Sequence, residues 1–242
     1  MASKSNTILV LGATGPAGIC LLRELISSSY HVVVYARNPA KIPNDIASQG
    51  LLTVTKGEMN DHESLEKTMS PCSAVLSLLG PSIDHKDIDP SIYAGYYRDA
   101  VFPAMRKLGI RRIIAMGTIS ISHRDDHFTI FQPMVHVFMR FFAKAIYSNM
   151  QNVAATFQKA GQGLDWTVFR IARIVGECDE LSWRSDGDAC QVYAGRVGGK
   201  GWTTSITRAE LARWIVCNIE SSEWPRRESI ATGTCDCLRP RN

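Results

Sequence analysis

Thr7–Leu11 is a short apolar run that leads directly into Gly12-Ala13-Thr14-Gly15-Pro16-Ala17-Gly18 and then into a segment carrying Ile19, Leu21, Leu22, Leu25 and Ile26 at helical spacing. Strand, glycine turn, amphipathic helix: this order restricts the fold more than any other feature of the chain, because it opens a βα unit. The pattern then repeats. His31–Ala36 is β-branched and nearly continuous, as expected of a strand buried on both faces. Residues 51–55, 73–79, 112–116 and 166–171 read as further strands. Helices are expected after Asp61, which suits an N-cap, over 91–108 and over most of 131–159. Strand and helix thus alternate at crossover spacing. That predicts an α/β fold, a doubly wound parallel sheet with helices on both faces.

After Gly176 the period lapses. Residues 177–201 hold several Gly, Asp and Cys residues and read as a loop-rich part that completes a pocket. Residues 207–219 form a helix opened by a Thr207/Glu210 capping box, and 229–232 a last edge strand. No repeat or low-complexity linker divides the chain. A single domain over 1–242 is expected, with its core at 6–172 and a C-terminal substrate-covering part at 173–242.

Composition excludes several function classes. Lys and Arg number 27 against 23 Asp and Glu, a net charge of +4, and no basic run exceeds the pairs Arg111-Arg112 and Arg226-Arg227. A nucleic-acid partner is therefore not expected. The 7 cysteines are scattered, with Cys235-x-Cys237 the one close pair and no zinc-type Cys/His spacing, so reduced thiols and no metal are expected. Lys4 precedes the apolar Ile8–Leu11, but Gly12 breaks that run too early for a signal peptide. The apolar stretch 128–147 is interrupted by Gln132, His136, Arg140 and Lys144, which argues against a membrane span. A cytoplasmic protein is expected.

The glycine loop has a specific chemistry. Gly12 permits the tight turn, Gly15 lets backbone approach a pyrophosphate, and Gly18 lets the helix pack close to the strand, whose following helix N-terminus offers free N–H groups to phosphate. An NAD-preferring site carries an acid after the second strand, where this chain has Ala36-Arg37-Asn38. Arg37, helped by Lys41, suits a 2′-phosphate instead, so the expected cofactor is NADP(H).

Gly-Ala-Thr-Gly-x-x-Gly at 12–18, Ala-Arg-Asn-Pro-Ala-Lys at 36–41, Gly-Glu-Met-Asn-Asp at 57–61, Ala-Val-Leu-Ser-Leu-Leu-Gly at 74–80 and Gly-Leu-Asp-Trp-Thr-Val-Phe-Arg at 163–170 resemble the atypical short-chain dehydrogenase/reductase superfamily. Within it the chain is most similar to the NAD(P)H-binding group of NmrA-like proteins and biliverdin-IXβ (flavin) reductases, over roughly residues 6–220. The resemblance implies a Rossmann-type sheet. It also implies that Asp61 meets the adenine amine, that Leu79 and Gly80 line the adenosine side, and that Thr118 and Ser120 orient the substrate. It places the helical tyrosine at Tyr147. Ordinary members follow that tyrosine with a lysine four residues on. Here Gln151 occupies the place, able to hydrogen-bond a ribose but without charge, while Lys144 stands three residues before Tyr147. Some fungal secondary-metabolite tailoring proteins are of this type.

Other groups carry weaker signals. His123-Arg-Asp-Asp-His127 follows the fifth strand, where a proton-transfer or substrate-contact role for one histidine, and metal ligation with no third ligand at hand, compete with a solvated loop. The apolar residues of 128–142 read as a buried helix, a pocket wall, a subunit interface or a membrane-surface attachment anchored by Arg140 and Lys144. Trp183, Arg184, Tyr193 and Trp202 suit either a flat substrate or a packed lid, and Arg173 a structural ion pair. The expected activity is reduction, with NADP(H), of an apolar or aromatic carbonyl or conjugated small molecule by a monomer or homodimer, with Tyr147, Thr118 and Ser120 at the reacting centre. The rival readings are a non-catalytic NADP(H)-sensing protein and a redox-neutral isomerase or cyclase.

Overall fold

The computed structural model describes residues 6–81, 88–187, 192–221 and 228–234. Lys4, Arg226-Arg227 and Cys235-x-Cys237 lie outside the described residues.

The chain starts as β1 (Thr7–Leu11), α1 (Pro16–Ser27), β2 (His31–Ala36), the short α2 (Asn44–Ala47), β3 (Leu52–Lys56) and α3 (His62–Met69). A second half follows: β4 (Ala74–Ser77), α4 (Ile92–Tyr96), α5 (Phe102–Lys107), β5 (Arg112–Thr118), α6 (Phe131–Phe142), α7 (Lys144–Ala160) and β6 (Asp165–Ile171). The remainder is β7 (Arg173–Val175), α8 (Glu180–Gly187), β8 (Val192–Gly195), β9 (Ser205–Thr207), α9 (Arg208–Cys217) and β10 (Glu228–Thr234). The main sheet has the order β3-β2-β1-β4-β5-β6-β10-β8, parallel except where β8 runs antiparallel to β10. The first six strands are thus doubly wound, with the strand order reversing between β1 and β4.

Strand alternation explains the two layers. Ile8, Val10, Val32 and Val34 pack on one face with Leu22 and Leu25 of α1 and Trp214 of α9. Leu9, Leu11, Val33 and Tyr35 pack on the other with Leu65 of α3, Phe102 of α5 and Phe157 of α7. Each such fully buried apolar side chain contributes about 1.5–3 kcal/mol.

Four departures from the sequence reading have local causes. The helix expected over 91–108 widens into a π turn at Tyr97–Val101, just before Pro103, whose ring and missing N–H disfavour a regular α turn there. The helix expected over 131–159 breaks at Ala143 (φ −141°, ψ 45°) into α6 and α7. Within the aperiodic 177–201, α8 forms around Trp183, which is buried and donates to Glu24 of α1 at 3.0 Å. Finally, β10 is no edge strand: it lies between β6 and β8. The Thr207/Glu210 capping box is present at the start of α9, as the sequence predicts.

Candidate active site

The turn after β1 is shaped by three glycines with different tasks. Gly12 has φ +77°, and a Cβ on it would lie 2.7 Å from the Leu78 carbonyl carbon. A Cβ on Gly18 would lie 2.5 Å from the Gly12 oxygen, so this glycine seats α1 against the turn. Gly15 is extended (φ −83°, ψ 162°), and a Cβ there would meet only the Gly12 oxygen, at 3.8 Å. Space is therefore open above Gly15, at the N-terminus of α1, where free N–H groups favour an anion.

That space belongs to a cleft of about 450 Å³ at the carboxyl ends of β1 to β4, the switch point of the sheet. Gly12, Thr14 and Gly15 line it from β1, and Leu79 and Gly80 from β4. Pro16, Ala17 and Gly18 support the turn from beneath and are not among the lining residues. Arg37, Asn38 and Lys41 line it from the end of β2, and no acid pairs with Arg37 among the described residues. Sequence reasoning missed Tyr35, Glu58, Met59, Tyr93 and Tyr96, which complete the wall. Tyr35 is held by donating to the Glu58 and Asp61 carbonyls at 3.0 and 3.2 Å. Burial pushes the Tyr93 phenol up, against the opposing charge of Arg37, so the ring stays neutral.

Asp61 is placed differently from the role the resemblance implies. Its Oδ1 accepts the Ser64 N–H at 3.0 Å and caps α3, and it does not line the cleft, whereas Glu58 and Met59 do. Gln151 is also otherwise engaged, donating through Nε2 to the Ser120 carbonyl. Ser120 is fully buried and shares a 2.6 Å hydrogen bond with Thr118, so it reaches a ligand only through Thr118. Beyond Gly80, the Met116 and Met150 methyls come within 3.1 and 3.9 Å of a Cβ built there. Tyr147 stands one turn before Met150 and Gln151 on α7, and its hydroxyl lies 3.3 Å from Nδ1 of His136.

The loop after β5 is built around a buried ion pair. Arg170, fully buried on β6, donates to both Asp126 oxygens at 2.6 and 2.7 Å. Asp126 also accepts the His123 and Val197 amides. Burial pushes the Asp126 carboxyl up, but Arg170 and the two amides outweigh it and hold the group at about 2. His123 Nδ1 accepts the Asp125 N–H within this turn, and His127 is exposed. Among the described residues no group of three His, Cys, Asp or Glu is arranged to hold a metal.

The aromatic residues of the C-terminal part pack rather than line the cleft. Trp183 is buried under Arg184, and Trp202 contacts Phe131 at 6.4 Å between ring centroids. Arg173 is exposed and makes no ion pair among the described residues. The buried-helix reading of 128–142 does not hold either. No residue of α6 is buried, and Phe141 is 76% exposed. Among the described residues no helix is long and apolar enough to cross a membrane.

A family model described as NAD(P)H-binding matches residues 12–222, which include all of the cleft lining except Leu11. The chain belongs to the NAD(P)H-binding family. A short-chain dehydrogenase/reductase from Veillonella parvula, solved in complex with NADP, shares the fold (TM-score 0.70, 17% identity, 94% of each chain). So does ChuY, an anaerobillin reductase from Escherichia coli O157:H7 (TM-score 0.65, 16% identity, 97% of this chain and 99% of that one). Cinnamoyl-CoA reductase 1 of Oryza sativa subsp. japonica is 26% identical over 129 residues, 51% of this chain. The match spans only 38% of that relative's length. The family match agrees with the resemblance read from residues 12–18 and 163–170. The residues present fit its cofactor: an open helix N-terminus for the pyrophosphate, an aromatic wall for the adenosine, and cations at the end of β2.

Proposed function

We propose that this protein is an NADP(H)-dependent reductase of an apolar or aromatic carbonyl or conjugated small molecule. The observation that carries the cofactor preference is Arg37, lining the cleft beside Lys41 and in ion-pair contact with no acid of the described residues. A guanidinium there pairs with a 2′-phosphate, and a dinucleotide lacking that phosphate forgoes the pair. When bound, the cofactor supplies hydride. The protein's own share is orientation and proton supply. Thr118, fixed by Ser120, orients the substrate oxygen at the end of β5. Tyr147 donates the proton, since it shares a face of α7 with Gln151, which reaches Ser120. Apolar Met116 and Met150, behind Gly80 of the cleft wall, suit an apolar substrate. We place this activity in a single domain, in a reducing compartment consistent with the free thiols Cys20, Cys72, Cys178 and Cys217.

A second reading is favoured by one observation. The exposed apolar face of α6 suits a protein partner, as a non-catalytic NADP(H) sensor requires. The deciding experiment is to follow NADPH loss with a panel of quinones, flavins and enones. Turnover that Tyr147→Phe removes without loss of NADPH binding supports the reductase. NADPH binding with no turnover on any member favours the sensor.

A further inference from the structure

We infer that Tyr147, His136 and Ser122 form a proton relay in which His136 takes the part of the helical lysine this chain lacks, reloading Tyr147 from solvent. The break at Ala143 folds α6 back along α7 and brings His136 against Tyr147. Nδ1 lies 3.3 Å from the Tyr147 hydroxyl, with the rings 5.8 Å apart and nearly perpendicular. The other ring nitrogen, Nε2, lies 3.2 Å from Oγ of Ser122, which is exposed. Both imidazole nitrogens therefore have a hydroxyl partner, one on α7 and one facing water.

The way α6 is turned is a second observation. Met134, Val137, Phe138, Phe141 and Phe142 are all more than half exposed, although burial of a helix normally hides such residues. The polar residues face the body instead: Gln132 donates to the Ile119 carbonyl at 3.1 Å, and His136 meets Tyr147 and Ser122. The groups facing His136 are Tyr147 from α7 and Ser122 from the loop after β5, with Arg140 one turn along its own helix. Burial alone draws the imidazole below its usual range, which keeps it neutral and able to pass a proton at pH 7.

The relay rests on Tyr147 being the proton donor of the proposed reduction. As the substrate oxygen takes the Tyr147 hydroxyl proton, the Oη–H bond breaks and a product O–H bond forms. His136 then gives its Nδ1 proton to the phenolate oxygen, Nε2 takes the Ser122 hydroxyl proton, and Ser122 recovers one from water; proton exchange with water returns the partly exposed imidazole to its Nδ1–H form before the next turnover. The net proton comes from solvent and the hydride from bound NADPH.

Nitrogen-15 imidazole spectra of the ligand-free protein, titrated with pH, test the wiring without any turnover. In the charged imidazole, Nδ1–H donates to the Tyr147 oxygen, and such a charge-assisted bond is stronger than its neutral counterpart. Tyr147→Phe should therefore lower the His136 midpoint further, by roughly 0.4–1 pH unit, and Ser122→Ala should shift the Nε2 resonance. His136→Ala should lower kcat roughly tenfold or more, less than the roughly 10²–10⁴-fold of a direct proton donor because His136 acts through Tyr147. KM and NADPH affinity should be unchanged, and added imidazole should restore the rate of His136→Ala but not of Tyr147→Phe. An unmoved His136 midpoint in Tyr147→Phe, or a His136→Ala variant with wild-type kcat, overturns the relay. Absence of turnover in the wild type counts against the reductase reading alone, because the titration judges the relay separately.

Discussion

Gly15→Val separates cofactor binding from folding, because the three loop glycines differ in what surrounds them. At Gly15 the backbone is extended and a Cβ meets nothing nearer than 3.8 Å, so a valine can be accommodated and its methyl groups project into the cleft. The cost falls on the ligand. A pyrophosphate displaced from the α1 N-terminus loses about two charge-assisted hydrogen bonds at roughly 1.5–3 kcal/mol each, or about 10²–10⁴ in affinity. Gly18→Val is the contrasting control: its Cβ would lie 2.5 Å from the Gly12 oxygen and 2.6 Å from the Ala13 carbonyl carbon, contacts that backbone must move to relieve. That overpacking costs roughly 1–3 kcal/mol of stability. Calorimetric titration with NADPH and urea unfolding of both variants provide the measurement. Gly15→Val should unfold near the wild-type midpoint and bind NADPH at least 100-fold (about 2.7 kcal/mol) more weakly, while Gly18→Val should unfold earlier. A Gly15→Val protein that binds NADPH within about threefold of wild type refutes the assignment of this loop to the phosphates.

Three further outcomes follow from other parts of the molecule. Asp126→Ala leaves Arg170 buried without its carboxylate and should cost about 3–5 kcal/mol in urea unfolding. Because the folded Asp126 carboxyl lies at about 2, below its unfolded value, its contribution of about 2 kcal/mol is fully present above roughly pH 4 and is lost as pH falls toward 2; a wild-type acid unfolding curve that matches that of Asp126→Ala contradicts this. Tyr147→Phe should lower turnover by roughly 10²–10⁴-fold and Thr118→Ala by less, each measured at saturating NADPH. Phe138→Ser combined with Phe141→Ser should change stability by less than about 1 kcal/mol, since both side chains are already exposed, and a larger loss in urea unfolding would show that this face is covered.

The parallel core was legible because its signal is local. β1 and β2 lie where their apolar runs end, and the Thr207/Glu210 box starts α9 as spacing predicts. The glycine loop was readable for the same reason, since each glycine answers to atoms within a few residues or to the strand beside it. What was not legible depends on contacts distant in sequence. Tyr93 and Tyr96 reach the cleft from α4, some 80 residues after the loop they face, and no periodicity marks them as cofactor-facing. Which of the readings of α6 applies was not legible, because composition shows hydrophobicity but not which way a helix is turned. Here Gln132 and His136 find partners inside, and the phenylalanines face outward. Asp61 had two possible tasks, and the N-cap claimed its carboxylate.

The 2′-phosphate role of Arg37 is read out by the ratio of NADPH to NADH affinity, from calorimetry on wild type and Arg37→Ala. One charge-assisted pair with the 2′-phosphate is worth roughly 1.5–3 kcal/mol, so the wild type should prefer NADPH by about 10- to 150-fold. Arg37→Ala should lose most of that preference while its NADH affinity changes little. Equal affinity of the wild type for the two dinucleotides, or a preference that survives Arg37→Ala intact, is incompatible with a 2′-phosphate site at Arg37.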